Sequence, residues 1–322
     1  MTRRGIAAIV ATALLAALSV PAAGATESGQ FPMTIENCGR EVTIPQAPER
    51  VLVMGGEAAT LVWAAGAADR ITTYASFEGE LLGPAEAALE GVPTLPASGL
   101  SKELIIGQQP DVVITYGLDE TTPEDLAEAG IQTIIISGFC INQERIPAER
   151  ASDPFERIYA SIELYGQLFG TQDQAAQSVA DLRERVAAVE ERERTAPVGA
   201  TAATVYVPDE GPLSGYGSGS MAHSQMNKLG FANVFAGPGE RYFELSVEEL
   251  IAADPDVLIA QYGFGQSTAD SARDRLLSSS ELSDVTAIRN DAIVALVYDY
   301  SGGGALAVDG LEIMAEQLAA LQ

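Results

Sequence analysis

Two segments of this chain repeat one another, and the repeat limits the folds open to it. Residues 101–117 read SKELIIGQQPDVVITYG, and residues 246–263 read SVEELIAADPDVLIAQYG. Glu103, Pro110, Asp111 and Val112 recur as Glu248, Pro255, Asp256 and Val257, a constant offset of 145. Each segment predicts a short helix, a Pro-Asp turn and a strand that is apolar throughout. A strand without polar alternation is buried on both faces, as in a parallel sheet covered by helices. Two such units in register predict paired α/β lobes of one design.

The flanking sequence extends the pattern. Residues 33–37 and 41–44 alternate around Cys38-Gly39-Arg40 and predict a hairpin. Strands follow at 50–54, 71–75, 111–115 and 131–136, with helices at 57–65, 102–107 and 122–129; Gly66 and Gly130 stop the first and last of these. The second half predicts strands at 202–207, 256–260 and 292–298 and helices at 220–229, 247–252 and 305–321, with a Gly/Pro-rich loop at 208–219. Between the halves, Phe155, Ile158, Tyr159, Ile162, Tyr165 and Phe169 recur at helical spacing up to Gly170. Thr171 and Gln174 have capping-box spacing, and Ala175, Val179, Leu182, Val186 and Val189 mark one face of a second helix running to Glu193. The pattern predicts a signal segment at 1–25, an α/β lobe at 26–152, a helical connector at 153–194 and an α/β lobe at 195–322. Helices flanking one large sheet remain the alternative.

The N-terminus sets the compartment. Arg3 and Arg4 precede an apolar run from Ile6 to Val20, and Ala23-Gly24-Ala25 fits a signal-peptidase site. The run is short for a membrane span, and no cysteine near the cleavage site offers a lipid anchor. The mature chain is therefore expected in the periplasm. The full sequence carries a net charge of -27, with only Lys102 and Lys228 as lysines, which argues against nucleic acid as a partner. Cys38 and Cys140 are the only cysteines, and in an exported chain they are expected to form a disulfide; two free buried thiols are the alternative.

Several chemistries lack their residues. His223 is the single histidine, so a His-rich metal site and an HExxH pair are excluded. There is no G-x-S-x-G elbow and no P-loop. Gly215, Gly217 and Gly219 fail the G-x-G-x-x-G spacing at Ser220 and read as a flexible loop. No enzymatic activity, metal or resident cofactor is expected; an exported α/β enzyme such as a hydrolase is the rival class.

The segment NCGREVTIPQAPERVLVMGGEAATLVWAAGAADRI, both Pro-Asp-Val units and KLGFANVFAG, in that order, resemble the periplasmic binding proteins for iron-siderophores, heme and cobalamin. The resemblance spans nearly the whole mature chain. It implies two lobes on a rigid helical connector, a ligand cleft between them and an ABC importer as partner, with the protein acting as a monomer. It implies ligand contacts at Tyr116, Tyr242, Asp299 and Tyr300, with Tyr74 and Phe77 as further candidates. Arg145 and Arg241 flank the expected cleft and suit an anionic chelate. Glu103 and Glu248 match the position where the family presents a glutamate from each lobe to the importer. A ferric siderophore is the expected ligand, an iron(III) chelate carried as cargo; heme and cobalamin are the alternatives.

Overall fold

The computed structural model describes residues 31–77, 79–142, 153–192, 199–237, 239–263 and 267–321. The expected signal segment 1–25 and Arg145 lie outside them. Strands β1 (Met33–Asn37) and β2 (Arg40–Ile44) form the expected antiparallel hairpin. Cys38 and Gly39 both take positive φ at its tip, the conformation that a tight two-residue hairpin turn requires.

The first lobe comprises β3 (Val51–Met54), α1 (Gly56–Ala64), β4 (Ile71–Ser76), β5 (Thr94–Pro96), α2 (Lys102–Gly107), β6 (Val112–Thr115), α3 (Pro123–Glu128) and β7 (Gln132–Ile135). Its five strands are all parallel, in the order β5-β4-β3-β6-β7. Helices α4 (Pro154–Phe169) and α5 (Gln172–Glu191) form the connector. The second lobe holds β8 (Thr201–Tyr206), β9 (Leu213–Tyr216), α6 (Met221–Lys228), β10 (Ala232–Asn233), β11 (Tyr242–Leu245), α7 (Val247–Ala253), β12 (Val257–Tyr262), α8 (Ala269–Leu277), α9 (Thr286–Arg289), β13 (Ile293–Val297) and α10 (Leu306–Ala320). Its strand order is β11-β9-β8-β12-β13, with β10 also paired to β8. The two sheets are separate, so the single-sheet alternative is set aside.

The repeat has a physical basis. Ser101 and Ser246 cap α2 and α7, and Ile105 and Leu250 bury fully beneath them. Gln109 and Asp254 both turn left-handed (φ 52° and 40°) to end those helices. Asp111 Oδ2 then accepts the amides of Glu49 and Arg50 at 2.8 and 2.9 Å. Asp256 Oδ2 accepts the amide and hydroxyl of Thr201 at 2.8 and 2.9 Å. In each lobe the aspartate thus satisfies the otherwise unpaired start of the neighbouring central strand.

One hydrophobic core joins lobes and connector. It runs from Val51, Val53 and Leu61 through Phe155, Ile162, Tyr165 and Val186 to Met226, Ile259, Val294 and Leu311. A smaller core backs the far face of each sheet. Buried apolar packing on both sides of the connector stiffens the joint between the lobes. Cys38 and Cys140 form a disulfide across 102 residues of sequence. Beside it, the buried Asn37 amide donates to the Ile135 carbonyl at 2.7 Å and accepts the Ile135 amide at 2.8 Å.

Two local expectations fail. Thr171 makes no capping bond to its helix; its hydroxyl donates to the Ala65 carbonyl at 2.6 Å, and Gln174 lies over Gly66. Both side chains tie the connector to the end of α1 instead. The 208–219 loop contains β9, antiparallel to β8 and β11. Gly215 is a packing residue there, since a Cβ would meet the Phe243 ring at 2.6 Å.

Candidate ligand-binding site

The carboxyl ends of the parallel strands of both lobes converge, the place where open α/β sheets receive ligands. In the first lobe Phe77 follows β4, Tyr116 follows β6, and Phe139 sits in the 3-10 turn after β7. Their rings form a row, with centroids 5.4 Å apart for Phe77–Tyr116 and 5.8 Å for Tyr116–Phe139. In the second lobe Tyr206 ends β8 and meets Tyr298, just past β13, edge to face at 6.1 Å. Tyr216 ends β9, and Arg241 immediately precedes β11.

Arg241 bridges the two walls. Its guanidinium stands 4.3 Å over the Phe139 ring of the opposite lobe and reaches the Tyr298 hydroxyl at 3.4 Å. Its backbone is held because the Gly217 amide donates to its carbonyl. Burial opposes its charge, but Tyr298, Glu57 and Tyr216 outweigh burial and hold its pKa above the usual arginine value.

Carboxylates lock the lobes reciprocally. Glu57, in the first turn of α1, accepts the Gly303 amide of the second lobe at 2.9 Å. Asp299, after β13, accepts the Leu81 amide of the first lobe at 3.3 Å. A Cβ on Gly304 would meet the Glu57 backbone at 2.7 Å, so only glycine permits this approach. Burial pushes Glu57 up to about 7, with Arg241 pulling the other way. Burial likewise raises Asp299 to about 6. Glu80 is fully occupied by the Gly56 amide, the Tyr74 hydroxyl at 2.7 Å and the Phe77 amide at 3.2 Å.

The structure sorts the expected site residues. Phe77, Tyr116, Arg241 and Asp299 come together around the opening. Burial raises Tyr116 to about 12, with Asp119, Glu80 and Glu57 adding to the effect. Tyr74 is 6% exposed and bonded to Glu80, so it braces the loop from within rather than lining the opening. Tyr242 is 60% exposed on β11, opposite Tyr216, and stands at the rim. Tyr300 turns toward α10; its carbonyl accepts from Gln225 at 2.8 Å. Glu103 and Glu248 lie exposed in the first turns of α2 and α7. His223 is held between Asn227 and Asn233.

Sequence reasoning passed over Glu57, Glu80, Phe139, Tyr206, Tyr216 and Tyr298. Tyr206 and Tyr298 fell inside or at the end of predicted strands, where an aromatic residue reads as packing. Among the described residues, no group of three or more His, Cys, Asp and Glu side chains gathers to hold a metal ion. The site offers flat rings, phenol hydroxyls, one guanidinium and carboxylates, a lining suited to holding a bulky ligand.

Comparison with known proteins agrees with this architecture. A family model described as periplasmic binding protein matches residues 51–300. An ABC-type Fe3+-hydroxamate transport system protein from Saccharomonospora viridis superposes with a TM-score of 0.77 at 35% identity, covering 89% of this chain and 99% of that one. A periplasmic heme-binding protein from Pseudomonas aeruginosa superposes at 0.66 with 21% identity, covering 85% of this chain and 93% of that one, a likeness of fold. A cobalamin-binding protein from Halobacterium salinarum is 24% identical over 313 residues, covering 92% of this chain and 79% of the relative. The chain belongs to the periplasmic binding protein family, whose members bind their substrates rather than transform them.

Proposed function

We propose that the chain captures a ferric siderophore in the cleft between its lobes and delivers it, in the periplasm, to an ABC importer. The observation that carries this reading is the row of Phe77, Tyr116 and Phe139 facing Tyr206, Tyr216 and Tyr298, with Arg241 between the walls. Rings of this kind hold a bulky chelate by area, while phenols and a guanidinium donate to iron-bound oxygens. The similarity to the Fe3+-hydroxamate transport protein points to hydroxamate as the chelating group. The Halobacterium relative's name makes cobalamin the second reading. Against it, the resemblance implies cobalamin contacts that lean on tryptophan, and Trp63, the only tryptophan, lines a separate cavity of about 310 Å³ between α1, α5 and α10.

The test is titration of the mature protein with a ferric trihydroxamate, cyanocobalamin and heme, followed by intrinsic fluorescence and native mass spectrometry. The reading requires saturable one-to-one binding of the ferric chelate, weakened at least about 10-fold in Arg241→Ala and Tyr116→Ala. Tight binding of cobalamin or heme with no ferric chelate bound overturns it.

Importer delivery rests on Glu103 and Glu248. Each has an exposed isoleucine one turn further on, Ile106 and Ile251, both 37% exposed. A carboxylate and an apolar side chain at matched places on two lobes give a two-point register for a dimeric partner. The double variant Glu103→Ala, Glu248→Ala should bind chelate normally and lose uptake through the reconstituted importer. Normal uptake would remove both residues from the docking surface.

A further inference from the structure

We infer that the cleft selects ferric hydroxamates bearing a pendant cation, with Glu57 and Asp299 reading the charge and Tyr216 donating to the iron-bound oxygens. The inference rests on the ferric-chelate reading above and narrows it.

Three observations lead here independently. The first is the charge facing the opening. Glu57, Glu80 and Asp299 stand against Arg241, whose guanidinium is already stacked on Phe139 and bonded to Tyr298. Arg157, 8% exposed, is buried in the wall of a small adjoining cavity that Arg241 also lines. A polyanionic chelate brought into this opening would meet more carboxylate than guanidinium, and repulsion of the wrong charge is how a site rejects near relatives of its ligand. A cationic group would meet Glu57 and Asp299, each of which commits one oxygen to a backbone amide of the opposite lobe.

The second observation is Tyr216. Its side chain is 7% exposed among Tyr206, Tyr298, Arg241 and Tyr242, and its hydroxyl has no hydrogen-bond partner among the described residues. That hydroxyl is therefore free to donate to an acceptor brought in from outside the chain. Hydroxamate oxygens on iron are acceptors without a proton. The ligand this lining describes is therefore two-ended, with acceptor oxygens toward Tyr216 and a donor cation toward Glu57 and Asp299.

The third is the long-range field. A net charge of -27 draws cations toward the protein and slows the approach of anions before any contact forms.

Burial holds Glu57 and Asp299 partly protonated near neutral pH, in a setting shared with Glu80, Arg241, Tyr116 and Tyr298. A bound cation replaces those protons, so its affinity rises as pH climbs through this range.

Three probes isolate the charge: the ferric complex of a linear trihydroxamate with a terminal amine, the same complex N-acetylated, and a ferric hexadentate tricatecholate. They carry net charges of +1, 0 and -3. Calorimetry on the wild-type protein at about pH 8 should show the amine complex binding at least about 10-fold tighter than its acetylated form, with the catecholate weakest. The ratio of the first two should fall below about 3 in Glu57→Gln with Asp299→Asn, and also in the wild type at about pH 5. Tyr216→Phe should weaken both hydroxamates about 5-fold or more while keeping their ratio. Equal wild-type affinity for the amine and acetylated complexes, or tightest binding of the catecholate, overturns the inference and leaves the ferric-chelate reading standing. Binding of none of the three overturns that reading, and this inference with it.

Discussion

The first lobe is wholly parallel, whereas the second adds two antiparallel strands, β9 and β11, at one side of the same plan. Everything the repeat specifies is common to both: the serine cap, the buried aliphatic residue, the left-handed helix end and the aspartate that closes the neighbouring strand. Arg241 and Tyr216 sit where the lobes part, on or beside the antiparallel pair. The first lobe contributes a row of rings and the carboxylate Glu57, and the second a guanidinium and phenols. A shared scaffold therefore carries the stability, and the departure from it carries much of the site.

The hardest strain on this comparison comes from the disulfide, which only the first lobe has. In the chain-entropy model, opening its loop should remove about 5 kcal/mol. Hydrogen exchange after reduction should accelerate in β1, β2 and β7 while β8, β12 and β13 keep their protection. Uniform acceleration would mean that the common core fuses the lobes into one unfolding unit.

Next in size is the pH response of Glu57. Its folded pKa of about 7 lies above its ordinary 4.5, so between these values the folded state holds a proton that the unfolded state releases. Stability therefore falls as pH rises from about 4.5 to about 7 and levels off above. Glu57→Gln should remove that fall, leaving the variant about 1–3 kcal/mol more stable than wild type at about pH 8 and equal to it at about pH 4. Asp299→Asn should do the same from the second lobe with a smaller gain, its window running from 3.8 to about 6. Chemical denaturation across pH reads both, and parallel wild-type and variant curves would sink the account.

Asp111→Ala and Asp256→Ala offer the matched test. Each strips two hydrogen bonds from the start of a central strand and should lose about 1–2 kcal/mol. Losses differing by more than about 1 kcal/mol between the lobes would show that the repeat is shared in sequence but not in energetics.

The smallest effect sharpens the contrast most finely. Ser101→Ala and Ser246→Ala should each cost about 1 kcal/mol, with Ser246 a few tenths worse. Glu249 bonds back to the Ser246 amide at 2.9 Å to complete a capping box, and Leu104 at the matching place cannot. Urea midpoints of the two variants would decide the order.

Most of the scaffold was legible because apolar strands and Pro-Asp turns declare themselves at short range. The antiparallel strands were not. LSGY is brief, and its glycine reads as a breaker until the Phe243 ring is seen lying on it. Glu57 reads as an ordinary acidic residue at a helix start; its bond to Gly303, 246 residues away, is invisible to any local pattern. Tyr74 looks in sequence as available as Phe77, yet it lies within the buried run Thr73-Tyr74-Ala75 of β4, whereas Phe77 comes just after the strand ends. Thr171 and Gln174 kept capping-box spacing but had better partners across the joint, in the Ala65 carbonyl and over Gly66.

Asn37 has a consequence beyond its two hydrogen bonds. Donating to and accepting from Ile135, its amide copies one rung of a β-ladder with a side chain. The outer edge of β7 is thereby finished rather than left open, and the neighbouring disulfide keeps the finishing piece from peeling away. An open parallel edge is a template on which a second chain can add a strand. The small N-terminal hairpin thus guards that edge against pairing with a strand from another chain.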